Sequence, residues 1–300
     1  MTSARKLVVR GTWTALVTPF RASDGGLDLD ALDRLVDDQI AAGIDVLVPC
    51  GTTGESPTLT HEEHDLVVAR VVARARGRVP VVAGTGSNAT AEAVRLTRHA
   101  AESGADGVLV VCPYYNRPSQ RMLVEHYRRV AAATTLPVIL YNIPGRTGVN
   151  LEPESVAELR RDVPTIAGIK EASGSLDQVA RLRAACDVPV LSGDDALTLS
   201  MAALGAQGVV SVASNVAPKQ VGDMVRAALA GDVSGALAIH DRLHPLFRAL
   251  FREPNPVPAK RALQMLGRCS DAVRAPLLTA LPETERALRE AMAPLGLLAT

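Results

Sequence analysis

The residues best suited to chemistry in this chain stand at the ends of short apolar runs. In "TIAGIKEASG" (165–174) a strand-like stretch closes on Lys170. Lysine is seldom fully buried without a partner. Only four of the 32 basic residues are lysine (Lys6, Lys170, Lys219 and Lys260), and the rest are arginine. Where charge alone matters, this chain uses arginine. Arginine stays protonated and cannot act as an amine nucleophile, whereas lysine can lose its proton when desolvated. A neutral amine condenses with a ketone to an imine, an electron sink for carbon–carbon chemistry. The plainer alternative is a buried Lys170 paired with Glu171 or Asp194.

Other chemistry-bearing residues follow the same rule of place. "GTTGES" (51–56) is a Gly-rich turn whose amides and the hydroxyls of Thr52 and Thr53 can receive a carboxylate. "PYYNRPSQ" (113–120) carries Tyr114 and Tyr115, and "YNIPGRTG" (141–148) carries Tyr141 and Arg146. Tyrosine hydroxyls pass protons when hydrogen-bonded, for instance to Thr52; isolated tyrosines otherwise serve as core or interface aromatics. Arg146, in a Gly-flanked loop, suits bidentate capture of a carboxylate, or else is a solvated loop arginine. "GTGSN" (84–88) has neither G-x-G-x-x-G nor G-K-[ST], so no nucleotide is expected. "HEEH" (61–64) is not H-E-x-x-H, and no third ligand stands out, so His61 and His64 are expected to be surface histidines without a metal. Thr60 and Glu63 form a capping-box pattern, which predicts a helix start near Thr60.

The elements that must carry these residues alternate. "AAGIDVLVPCG" (41–51), "ESGADGVLVVCP" (102–113) and "ALGAQGVVSVAS" (203–214) share a helix end, a glycine suited to a left-handed cap and a Val-rich strand. The strands are continuous apolar runs, the mark of a parallel sheet buried on both faces. Further strands are expected at 13–18, 79–84, 136–142, 165–170 and 188–193, separated by helical patterns. About eight strand–helix units at even spacing favour a closed (β/α)8 TIM barrel over a doubly wound open sheet, with active-site residues at the C-terminal strand ends. After residue 216 the strands stop, which predicts a barrel over 1–230 and a helical C-terminal extension over 231–300.

Composition narrows the function classes. The 300 residues are 47% hydrophobic and 21% charged, enough for a large core. Thirty-two acidic residues balance the basic ones and no basic block occurs, which argues against a nucleic-acid partner. The first thirteen residues lack a secretory apolar region and no later run reaches bilayer length, so a cytoplasmic protein without a membrane partner is expected. The four scattered cysteines contain no C-x-x-C, and Cys50 and Cys112 read as small buried hydrophobes.

Taken together, the segments "TALVTPF" (14–20), "GTTGES", "GTGSNATAEA", "PYYNRPSQ", "ILYNIPGRTG", "GIKEASG", "SGDD" and "EPNPVPAK" (253–260) resemble the dihydrodipicolinate synthase (4-hydroxy-tetrahydrodipicolinate synthase) family. That family lies within the pyruvate-dependent class I aldolase superfamily that includes N-acetylneuraminate lyase. GTTGE is shared across the superfamily, while "PYYNRPSQ" with "YNIPGRTG" is more specific to the synthase branch. The resemblance implies a lyase in which Lys170 forms a Schiff base with pyruvate. It implies that Thr52, Tyr141 and Tyr115 relay protons, Tyr115 being donated across a dimer interface. Thr53 would hold the pyruvate carboxylate with Thr52, Arg146 would receive L-aspartate 4-semialdehyde, and Gly193 and Val210 would line the pyruvate pocket. It implies no metal or organic cofactor, and a homotetramer built as a dimer of dimers. In some family members lysine binds at positions matching Ser56, His61, His64, Asn88, Glu92 and Tyr114, where Pro57 departs from the usual small residue. Two rivals remain at this stage: a sister aldolase or dehydratase acting on a keto-sugar acid, and a barrel that binds pyruvate or an amino acid without catalysis.

Overall fold

The computed structural model describes residues 7–298. Helices and strands alternate from β1 (Gly11–Ala15) through α1 (Leu29–Ala41), β2 (Val46–Val48), α2 (His61–Ala75), β3 (Val82–Gly84), α3 (Thr90–Glu102) and β4 (Gly107–Val111). They continue with α4 (Gln120–Ala131), β5 (Val138–Asn142), the short α5 (Pro144–Thr147), α6 (Pro153–Asp162) and β6 (Ile166–Glu171). α7 (Leu176–Ala185), β7 (Val190–Ser192), α8 (Thr198–Ala203), β8 (Gly208–Ser211) and α9 (Pro218–Leu229) complete the series. All strand pairs are parallel, in the order β2-β1-β8-β7-β6-β5-β4-β3. A parallel bridge between Leu47 and Val81 joins the two ends, so the sheet closes as a TIM barrel.

Strand residues divide by parity between two cores. Trp13, Ala15, Val46, Val48, Val82, Leu109, Ile139, Tyr141, Leu191 and Val210 form one cluster, which fills the barrel. Their neighbours, such as Leu47, Val108, Leu140, Ile169 and Val209, join the helix faces in the second cluster. Both faces are buried, as the unbroken apolar runs require. The three cap glycines, Gly43, Gly104 and Gly205, take φ values of 80, 82 and 92°, as the shared helix–Gly–strand pattern predicts. α2 begins with both halves of the capping box, Thr60 and Glu63.

α10 (Val233–Ala249), α11 (Val257–Met265) and α12 (Pro282–Met292) follow the barrel. Leu243, Phe247, Ala259, Leu263, Leu288 and Met292 belong to the helix-side core, so these helices pack on the barrel itself. Among the described residues, no helix is long and apolar enough to cross a membrane.

α3 and α4 enclose a buried histidine. His126 is 4% exposed, and its Nδ1 lies 2.9 Å from the Thr90 hydroxyl. Burial pushes it down from 6.5 to about 4. The unfolded chain then binds a proton between those values that the folded chain refuses, so stability is full above 6.5 and falls as pH drops towards 4. The loss expected from this group is roughly 3 kcal/mol at most. Urea unfolding at several pH values checks it: His126→Gln should flatten the decline, and an unchanged slope would clear His126 of the effect.

Candidate active site

Lys170 is 6% exposed, and its orientation depends on an irregularity in β6. β5 and β6 pair Val138 with Ile166 but Ile139 with Gly168, a register shift of one residue. Strict alternation from Ile166, which faces the helices, would turn Lys170 outward as well. The extra residue restores the inward face, and Lys170 pairs with Tyr141 on one side and Leu191 on the other, both members of the inner cluster. Its Nζ sits 4.1 Å from the centre of the Tyr141 ring. No carboxylate of the described residues lies within 4.0 Å, so the pairing with Glu171 or Asp194 does not occur. Glu171 faces the other side of the strand and accepts from the Ser173 N–H (2.7 Å) and Asn142 Nδ2 (3.0 Å), while burial pushes its carboxyl up. Asp194 caps the next turn, accepting from the Ala196 N–H at 2.9 Å.

Gly193, at the end of β7, leaves room for the lysine. A Cβ there would stand 2.5 Å from Ala172 Cβ and 2.9 Å from Lys170 Cε. Gly193→Ala should therefore displace the amine and lower kcat by about 100-fold, the scale of an ångström-sized misplacement. Steady-state rates on the folded variant test this; an undiminished kcat would show that the lysine tolerates the shift. Val210 on β8 is fully buried in the inner cluster.

A cavity of about 200 Å3 opens at the C-terminal ends of the strands, bordered by Thr52, Tyr114, Tyr141 and Arg146. The loop after β2 forms one wall. Cys50 and Glu55 bracket it with left-handed φ of 55° each. Gly54, Glu55 and Ser56 donate their N–H groups back to Gly51 and Thr52. The N–H groups of Thr52 and Thr53 find no acceptor among the described residues. They are donors available to an anion. The Thr53 side chain is buried, and its hydroxyl accepts from Asn255 Nδ2 at 2.9 Å. Arg146, on α5, is exposed at the rim and donates through Nη2 to the Asn255 carbonyl at 3.4 Å. Tyr115 lies outside the cavity of its own chain. It is 89% exposed, with φ of 74°, and makes no hydrogen bond to Thr52 or Tyr141.

A second cavity, of about 440 Å3, shares Ser56, Pro57, Gly86 and Tyr114 with the first. His61, His64 and Glu92 line it. His61 Nε2 is 2.6 Å from Glu92 Oε1, and Ser87 donates to the other oxygen. These two contacts hold the Glu92 carboxyl below its usual range. The expectation of two surface histidines fails at His64, which is 3% exposed and donates from Nε2 to the Gly84 carbonyl at 2.8 Å. Helical spacing puts both histidines on one side of α2, but the Gly84 end of β3 packs only over His64. Desolvation pushes His64 down, favouring the neutral ring. Asn88 does not line this cavity; its carbonyl accepts from Asn116 Nδ2 at 2.9 Å. Cys50 and Cys112 are buried, with burial raising both thiols.

Sequence reasoning passed over Asn255 and Lys260. Lysine scarcity pointed to Lys260 as much as to Lys170, and Lys260 is likewise fully buried.

The Dihydrodipicolinate synthetase family model matches residues 8–294. A 4-hydroxy-tetrahydrodipicolinate synthase from Methanothrix thermoacetophila is 53% identical over 286 residues, 94% of this chain and 96% of that protein. The crystal structure of dihydrodipicolinate synthase from Aquifex aeolicus superposes with a TM-score of 0.94 at 48% identity, covering 96% of this chain and 98% of the other. The Cyanidioschyzon merolae enzyme, solved with lysine bound, gives a TM-score of 0.94 at 42% identity, covering 97% of this chain and 99% of the other. With the whole barrel and its added helices matched at this level, the chain belongs to the dihydrodipicolinate synthetase family.

Proposed function

We propose that this chain is a lyase that condenses pyruvate with L-aspartate 4-semialdehyde to give 4-hydroxy-tetrahydrodipicolinate. The observation that carries the reading is the buried amine of Lys170, without a carboxylate partner among the described residues and against Tyr141 inside the barrel. It adds to the pyruvate ketone and, with loss of water, forms an imine. Loss of a methyl proton gives an enamine, whose carbon attacks the aldehyde of the second substrate. That substrate's amine then adds to the imine carbon, closes the ring and releases Lys170. Thr52 and Thr53 supply amide donors for the pyruvate carboxylate, with Gly193 and Val210 shaping the pocket. Thr52, Tyr141 and Tyr115 relay protons, and Arg146 at the rim takes the carboxylate of the semialdehyde. The exposure of Tyr115 supports a dimer in which each chain completes its partner's site, and we infer that two dimers form a tetramer.

A coupled assay tests this. Pyruvate and L-aspartate 4-semialdehyde are supplied, and NADPH oxidation by added dihydrodipicolinate reductase is followed. Robust turnover is expected. Absence of turnover with pyruvate still trapped by borohydride would move the reading to a sister aldolase, and absence of trapping would leave a non-catalytic binder.

The second cavity supports feedback by lysine; the Cyanidioschyzon merolae relative is solved with lysine bound. His61, Glu92 and Ser56 offer a charged and hydroxyl-bearing wall, and four residues are common to both cavities. Millimolar lysine should depress turnover by about 5-fold or more, with Glu92→Gln removing the effect. Unchanged turnover at tens of millimolar, on the order of saturation for such sites, would overturn this reading.

A further inference from the structure

The C-terminal helices reach the loop after β2 through buried charge. Lys260 on α11 is fully buried, and its Nζ lies 2.5 Å from Glu55 Oε1, itself 3% exposed. The same ammonium donates to the Ala272 carbonyl at 2.8 Å and stands 3.9 Å from the centre of the Phe20 ring. The other Glu55 oxygen accepts from the Arg274 backbone N–H at 3.0 Å. The Arg274 guanidinium clamps Glu63 at 2.5 Å to each oxygen and donates to the Thr58 carbonyl at 2.8 Å. Each anchor thus touches the segment that begins with the two free amides.

Glu55 is also a strained point. It holds a left-handed φ of 55°, which costs a non-glycine residue free energy unless its surroundings impose it. Its N–H donates to the Thr52 carbonyl at 3.1 Å, so its position sets the direction of the peptide beside the free donors. Asn255, two residues before α11, grips the Thr53 hydroxyl from the same side. A neutral residue pair could fill this space; an ion pair taken out of water fixes one geometry, because either charge alone is strongly unfavourable there.

We propose that Lys260 and Glu55 are positioning residues for the carboxylate-binding amides of Thr52 and Thr53, so that α11 sets the geometry of the active site. This rests on the assignment of those amides to the pyruvate carboxylate. The pair touches no reacting atom; it acts through the loop backbone. Removing it should therefore weaken pyruvate capture more than the chemistry that follows.

The test compares Lys260→Met with the double variant Glu55→Gln/Lys260→Met. Readouts are Tm, KM and kcat for pyruvate, and amide hydrogen exchange over 46–59 without substrate. Lys260→Met leaves an unpaired buried carboxylate, so its Tm should fall. The double variant removes both charges and should recover most of that Tm. Its pyruvate KM should stay raised by about tenfold or more, with kcat within a few-fold, the pattern of lost binding rather than lost chemistry. Exchange at 51–56 should be faster while β5 and β6 are unchanged. Recovery of KM together with Tm, and wild-type exchange, would show a merely structural pair and overturn the proposal. A double variant that recovers neither would overturn it too, as a determinant of folding. Should wild-type protein not be trapped by pyruvate and borohydride, the functional reading fails on its own, and loop exchange still decides whether the pair positions the loop.

Discussion

Lys170→Ala should abolish turnover in the coupled assay and abolish borohydride trapping of pyruvate, a loss of about 10,000-fold or more. No other described group can replace the amine. Lys219 pairs with Asp223 on the exposed face of α9, and Lys260 is locked against Glu55. Lys170→Arg is the sharper control, because it keeps a cation of similar reach but cannot form an imine. It should be equally inactive. Activity in the arginine variant would show that a positive charge, and not a nucleophile, is what the site requires. Because Lys170 has no ion-pair partner among the described residues, neither substitution strands a buried carboxylate, and both variants should remain folded with cooperative unfolding.

Tyr115→Phe should lower kcat by about 100-fold, the usual worth of a positioned proton donor. The informative experiment mixes chains. Equal amounts of Lys170→Ala and Tyr115→Phe protein, each nearly inactive alone, are dissociated and reassociated. Half of the dimers are then hybrids. If Tyr115 serves the partner's site, each hybrid holds one complete site, and roughly a quarter of wild-type activity returns. If Tyr115 instead folds back over its own cavity, a hybrid places both defects in separate sites of separate chains and no activity returns. The 89% exposure of a tyrosine with left-handed backbone favours the first result.

The placement of the candidate residues at the strand ends was legible in the sequence. The apolar runs stop near the strand ends, although 13–18 overshoots β1 by three residues, and in β6 charge enters only at the last two positions, Lys170 and Glu171, because the middle of a parallel strand buried on both faces is apolar. Lys170, Tyr141 and Gly193 therefore had to stand at one end of the barrel. The cap glycines and the Thr60–Glu63 box located helix boundaries, because each answers a local backbone requirement. His64 was misread because helical spacing identifies a shared face but not what packs over it. Pairing of Lys170 with Glu171 remained open because the expected strand stopped at 170 and left Glu171 in a turn; β6 extends to Glu171, and adjacent strand residues face opposite sides.

The sequence by itself determined the element order, the barrel, the strand-end residues and the shortage of lysine that marked Lys170. These follow from interactions within a few residues, or from counts. Only the tertiary structure decided which way the lysine points: a one-residue shift between β5 and β6 turns it inward, and such a shift depends on how two strands 28 residues apart pair. Tertiary structure alone also joined Lys260 and Arg274 to Glu55 across more than 200 residues, and Asn255 to Thr53. Contacts of that range leave no periodic trace in the chain, because they are set by where the C-terminal helices pack on the closed barrel.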